Sequence, residues 1–206
     1  MKNPLRYQMT EYDCGPTSLL NALSYLFARE DIPPEVVRSV MLYCLDCFGA
    51  DGESGKCGTS CTAMMFLSNW LSGFGQVGRL PISSEYLFGS EVNLSQNGRL
   101  QDALRRGGAA VARVDFEGWH YVLLTGIRDE QVYLFDPYYR AAPFDDRALQ
   151  MVWDRPAEYN RIVPLHYLER QTLDVYALGP LPGREAVLLF NARTRLTQEQ
   201  TVEYII

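Results

Sequence analysis

The sequence has no uninterrupted apolar run approaching about eighteen residues, so no membrane-spanning helix is expected. No apolar h-region follows Met1-Lys2-Asn3-Pro4-Leu5-Arg6, so no secretory signal is expected either. There is no basic excess: the net charge of −6 argues against nucleic acid or an anionic membrane as a partner. Internal repeats and low-complexity tracts are absent. These absences together point to a soluble cytoplasmic protein. Histidine is also scarce. With two in the chain, any site needing an imidazole base must use His120 or His166.

What is present is enough for a folded enzyme-sized domain. A length of 206 residues suggests one domain with a sizeable core, 1–140 as the main part and 141–206 as a β-rich extension of it. The stretch Gln8-Met9-Thr10-Glu11-Tyr12-Asp13-Cys14-Gly15-Pro16-Thr17 is the most informative. It sets a cysteine at the start of an apolar helical run, Leu19, Leu20, Leu23, Leu26 and Phe27. Gly15 permits close backbone approach, and Pro16 suits a first helical turn because its missing N–H would be unpaired there anyway. Free N–H groups at a helix start favour an anion, so a thiolate at Cys14 would be stabilised. Gln8, six residues upstream, can supply an amide donor near the same point.

The complementary half is Gly118-Trp119-His120-Tyr121-Val122-Leu123-Leu124-Thr125-Gly126, a strand-like run, followed by Val132-Tyr133-Leu134-Phe135-Asp136-Pro137. A hairpin about Arg128-Asp129-Glu130-Gln131 would bring His120 and Asp136 together near the open ends of adjacent strands. The carboxylate would then orient the imidazole. Cysteine, histidine, carboxylate and an amide donor are the parts of a cysteine hydrolase. His166, in Pro164-Leu165-His166-Tyr167, has no comparable company and reads as structural.

The pattern Gln-x5-Cys-Gly followed by His-x15-Asp-Pro resembles the double-glycine leader peptidases, peptidase family C39 of the papain-like cysteine peptidases. The resemblance covers about residues 5–30 and 105–140. It implies a papain-like α+β fold with N-terminal helices packed on an antiparallel sheet. It further implies a nucleophile at Cys14, a base at His120, an orienting carboxylate at Asp136 and an oxyanion donor at Gln8. No cofactor is required by such a site, and the substrate would be a peptide or a small acyl or amide compound. An acyl- or aminoacyltransferase on the same scaffold remains open, as does a non-enzymatic binding module.

The remaining elements follow from periodicity. Helices are expected at 15–29, over Val36 to Cys44, from Thr59 or Ser60 to about Gly73, and at Arg99 to Arg106. Strands are expected at 109–116, 120–128, 131–136, 174–178 and 185–190, with a helical turn at 164–169. Helices first and strands later is an α+β order. The tract 141–163 shows no firm period.

Two motifs invite over-reading. Cys44-x2-Cys47-x9-Cys57-x3-Cys61 has four thiols that could hold zinc, but the spacing fits no familiar zinc module, so reduced core cysteines are expected and no metal. Gly107-Gly108 is explained by a helix end and a turn. Tyr138 and Tyr139, just past Asp136, are candidates for a substrate groove.

Overall fold

The computed structural model describes residues 2–49, 52–54 and 56–197. Helices α1 (Cys14–Leu26), α2 (Pro34–Tyr43) and α3 (Cys61–Gln76) come first. Strand β1 (Ile82–Phe88) and helix α4 (Arg99–Arg105) lead into β2 (Ala109–Asp115), β3 (Trp119–Arg128) and β4 (Gln131–Phe135). After these come β5 (Gln150–Met151), β6 (Arg161–Pro164), α5 (Leu165–Leu168) and β7 (Glu185–Asn191). The strands form one seven-stranded sheet in the order β1-β7-β2-β3-β4-β6-β5. Every pairing in it is antiparallel. The α+β expectation is met.

Strand alternation divides the core in two. On one face, Val111, Leu123, Phe135, Val187 and Leu189 pack under α1, α2 and α3, against Leu19, Leu23, Val36, Val40, Met64, Leu67 and Leu71. On the other, Ala110, Ala112, Val114, Val122, Leu124 and Leu188 meet α4, α5 and the turn at Tyr176. Each fully buried leucine contributes roughly 1.5–3 kcal/mol, so the helical stripe of α1 is well anchored. Two polar bonds set its register on the sheet. Ser18 Oγ donates to Tyr121 O (3.0 Å), and Asn191 Nδ2 donates to Leu26 O (3.1 Å).

The N-terminal segment is held just as firmly. Asn21 accepts from Arg6 N (2.8 Å) and donates to Arg6 O (2.9 Å). Gln8 N then donates to Pro137 O (2.9 Å), tying the segment to the end of β4. A chain that would otherwise be a free arm is therefore fastened beside both α1 and the β4 exit.

The structure corrects several expectations. β1 was not anticipated, because Ser83, Ser84 and Glu85 interrupt its apolar pattern; its two buried apolar side chains are Ile82 and Leu87. Short β5 and β6 occupy the tract 141–163 and its end. Residues 174–178 are not a strand. Ala177 N closes a turn on Asp174 O (2.8 Å), and Tyr176 takes a φ of 63°, outside the β region. The cysteine cluster is not a set of core residues: Cys44 is buried, Cys57 is half-buried, and Cys47 and Cys61 are exposed.

Candidate active site

Cys14 opens α1, so its backbone N–H is among those left without an intrahelical partner. The turn before it is cinched by Asp13. That carboxylate accepts from Met9 N (3.0 Å), Thr10 N (2.7 Å) and Thr10 Oγ1 (2.7 Å). Burial raises the Asp13 pKa, but these donors outweigh it and hold the group below its ordinary value. Gln8 is thereby folded back onto the same wall as Cys14. Its Nε2 donates to Thr10 O (2.7 Å), which uses one of its two N–H bonds. Its Oε1 is buried and has no partner.

Gly15 has a steric reason. A Cβ there would lie 2.2 Å from Thr59 Oγ1, so the loop carrying Thr59 seats against the helix start only over glycine.

His120 stands at the beginning of β3 and is buried. Its Nε2 meets Asp136 Oδ1 at 2.7 Å. The Cys14 thiol lines the same cavity as the ring and adds to the pull on its proton. Burial lowers the His120 pKa, but the bonds to Asp136 and Cys14 overcome it and lift the value to about 9.

Asp136 is wholly enclosed. Oδ1 also accepts from Tyr138 N (2.8 Å), and Oδ2 accepts from the Tyr176 hydroxyl (2.7 Å). Its main chain is clamped by Asn160, whose Oδ1 accepts from Asp136 N (2.7 Å) and whose Nδ2 donates to Asp136 O (2.8 Å). In front of His120 is a cavity of about 210 Å³ lined by Gln8, Glu11, Cys14, the turn Phe116 to Trp119, His120 and Tyr138. A larger cleft of about 330 Å³ lies elsewhere, around Thr125, Arg128 and Arg155, lined by neither a cysteine nor a histidine.

Gln8, Cys14 and His120 thus share one cavity, with Asp136 behind the imidazole. Tyr138 joins that cavity. Tyr139 does not; it packs on Tyr7 and Trp153 and is largely exposed. His166 is exposed on α5. Sequence reasoning missed Asp13, Asn160, Tyr176 and the turn Phe116 to Trp119. Among the described residues, no group of three or more His, Cys, Asp or Glu side chains converges as a metal site. Nor is any helix among them long and apolar enough to cross a membrane.

The family model described as the Peptidase_C39 like family matches residues 2–157. A search of curated proteins found no match. Among solved structures, a Bacillus anthracis protein assigned as a C39-like peptidase aligns at 15% identity and a TM-score of 0.51, over 90% of this chain and 93% of its own. The double-glycine motif protease of the AMS/PCAT transporter, solved with its leader peptide, aligns at 15% identity and a TM-score of 0.46. That alignment covers 91% of this chain and 89% of the other. The peptidase domain of Streptococcus mutans ComA aligns at 12% identity and a TM-score of 0.41, over 91% and 98%.

Proposed function

Since the chain belongs to the Peptidase_C39 like family, we propose that it is a cysteine peptidase acting through Cys14, His120, Asp136 and Gln8. The observation that carries this reading is the 2.7 Å contact of His120 Nε2 with Asp136, on a ring that shares one cavity with the Cys14 thiol. His120 accepts the thiol proton as Cys14 sulfur attacks the carbonyl carbon. The oxyanion is met by the Cys14 N–H and the Gln8 amide. Collapse breaks the C–N bond, and His120 gives its proton to the departing amine. A water then attacks the thioester, losing its proton through His120, and the thiol is restored. Asp136 holds the imidazole in one tautomer and balances its charge throughout. The substrate is a peptide, and residues 141–206 belong to the same domain, since β7 lies between β1 and β2 in the sheet.

Reactivity tests the pair directly. At about pH 6, iodoacetamide should label Cys14 before Cys44, Cys47, Cys57 or Cys61. His120→Ala should slow that labelling at least about tenfold, since the thiolate loses its counter-charge. Gln8→Ala should label almost normally, because alkylation builds no oxyanion. Its peptide hydrolysis should fall by about 10²–10³. Labelling of Cys14 no faster than that of Cys57, or indifferent to His120→Ala, would sink the proposal. Supplying an amine nucleophile beside water distinguishes hydrolysis from transfer by the product formed.

A further inference from the structure

We propose that Tyr176 is a positioning residue of this site, holding Asp136 turned so that Oδ1 rests on His120 Nε2. The inference rests on the cysteine-nucleophile reading above and extends it past residue 157, where the family match ends.

The geometry is specific. Tyr176 is fully buried and its hydroxyl donates to Asp136 Oδ2 at 2.7 Å. Its main chain is fixed to the strand that leads into the turn before His120: Tyr176 N donates to Asp115 O (2.8 Å), and Asp115 N donates to Ala177 O (2.8 Å). The ring is seated between Phe116 (5.6 Å between centroids) and Phe144 (5.8 Å). Phe116 in turn touches the His120 ring at 5.6 Å. One side chain is therefore locked to the carboxylate by its hydroxyl and to the imidazole by its packing.

Asp136 needs this bond. A buried carboxylate is costly unless its oxygens are satisfied, and Tyr176 is the only side-chain donor given to Oδ2 among the described residues. Without it, Oδ2 would be a buried anionic oxygen with no such donor. The carboxylate would then be free to turn towards another donor, and with Oδ1 moved off Nε2 it would support an imidazolium less well. Burial, with the charge of Asp136, keeps the Tyr176 hydroxyl protonated far beyond ordinary phenol, so it stays a donor.

The titratable and charged groups around this carboxylate come from four elements. They are His120 from β3, Tyr176 from the turn at 174–178, Arg161 from β6, and Cys14 from α1 beyond the ring. Glu11 and Glu117 sit on the cavity wall. Arg161 is buried, and its charge favours the ionised form of Tyr176, opposing the effect of Asp136. A buried cation thus acts on the phenol that serves the carboxylate.

The test is Tyr176→Phe, which keeps the ring and removes only the hydroxyl. Cys14 alkylation by iodoacetamide is followed from about pH 4 to pH 10, so no substrate need be known. The acidic limb of the rate profile should move up by about one to two pH units, as loss of one hydrogen bond to a charged group implies. The rate on the alkaline plateau should stay within about twofold. A limb that superimposes on wild type, whatever happens to thermal stability, makes Tyr176 a packing residue and overturns the inference. Wild-type labelling that is already indifferent to His120→Ala overturns instead the site reading on which it rests. Should Tyr176→Phe fail to fold, Arg161→Gln carries the same test. It leaves the phenol in place and removes the cation beside it, and the same upward shift is expected, smaller in size. No shift there counts against the inference equally.

Discussion

Two carboxylates are buried on this sheet, and they have been given nearly the same surroundings. Asp136 receives a tyrosine hydroxyl, a backbone N–H and His120 Nε2. Glu185 receives two tyrosine hydroxyls, from Tyr121 and Tyr86 at 2.7 Å each, and forms an ion pair with Arg113, whose Nε lies 3.1 Å away. Both are essentially without solvent contact. The difference is the cation. A guanidinium keeps its proton at any pH a folded protein meets, so the Arg113–Glu185 pair is a fixed charge pair. An imidazolium can give its proton away, and this ring borders a cavity that Cys14 also lines. Buried, hydrogen-bonded carboxylates are therefore not diagnostic of catalysis. The titratable partner and its access to a nucleophile are.

Paired substitutions expose that difference most widely. Asp136→Asn should lower peptide hydrolysis by about 10⁴, the scale expected when the orienting carboxylate is lost and the wrong imidazole tautomer is held. Glu185→Gln should keep hydrolysis within a few-fold of wild type. It should cost about 1.5–3 kcal/mol of stability, because it takes a charged partner from the half-buried Arg113 and from two phenols. Denaturant titration and turnover measured on both variants check the crossing. If Glu185→Gln abolishes turnover while the fold remains intact, the two carboxylates are not separable in role and the comparison breaks.

A pH series sharpens the same contrast. His120 is raised from an unfolded value near 6.5 to about 9 in the folded protein. A group raised on folding contributes its stability in full below about pH 6.5, and that contribution is lost as the pH climbs through about 9. The wild-type advantage over His120→Gln in urea unfolding should therefore shrink by up to about 3 kcal/mol between those limits. A difference that stays constant across the window would mean that His120 is not held as the cation by Asp136 and Cys14.

Much of this was legible from the sequence, for definite reasons. The helix that begins at Cys14 announces itself by apolar spacing and by Pro16. The His120 and Asp136 strands are continuous apolar runs joined by a short turn, which fixes their adjacency. The supports of Asp136 were not legible. Asp174-Val175-Tyr176-Ala177-Leu178 alternates like a strand, and only tertiary hydrogen bonds to Asp115 and Leu168 turn it into the bend that aims Tyr176 inward. Asn160 lies in a tract with no period, and its side chain serves a backbone 24 residues away. Glu185 begins a buried strand, where a charge reads from sequence as a boundary rather than as a core residue. Ser83, Ser84 and Glu85 hid β1 by putting polar groups where α3 supplies partners: Ser84 Oγ pairs with Ser68 Oγ at 2.8 Å, and Ser84 N donates to Ser72 Oγ at 3.1 Å. Periodicity reports burial of apolar atoms and is silent about polar groups whose partners are distant in the chain.

The smallest expected effect is the most discriminating control. Tyr86 and Tyr176 each donate a phenol hydrogen bond of 2.7 Å to a buried carboxylate, Glu185 in one case and Asp136 in the other. Tyr86 is only half-buried, so water can replace part of what its hydroxyl provides. Tyr86→Phe should then cost about 1 kcal/mol, less than a fully buried bond to a charged acceptor. Glu185 retains Tyr121 and Arg113, and burial with the charge of Glu185 pushes Tyr121 well above ordinary phenol. The pH profile of Cys14 labelling should consequently be unchanged in Tyr86→Phe, while the same deletion at Tyr176 moves it. A shift of the acidic limb in Tyr86→Phe as large as that in Tyr176→Phe would show that losing any buried phenol perturbs the thiol. The special standing of the Tyr176–Asp136–His120 line would then be lost.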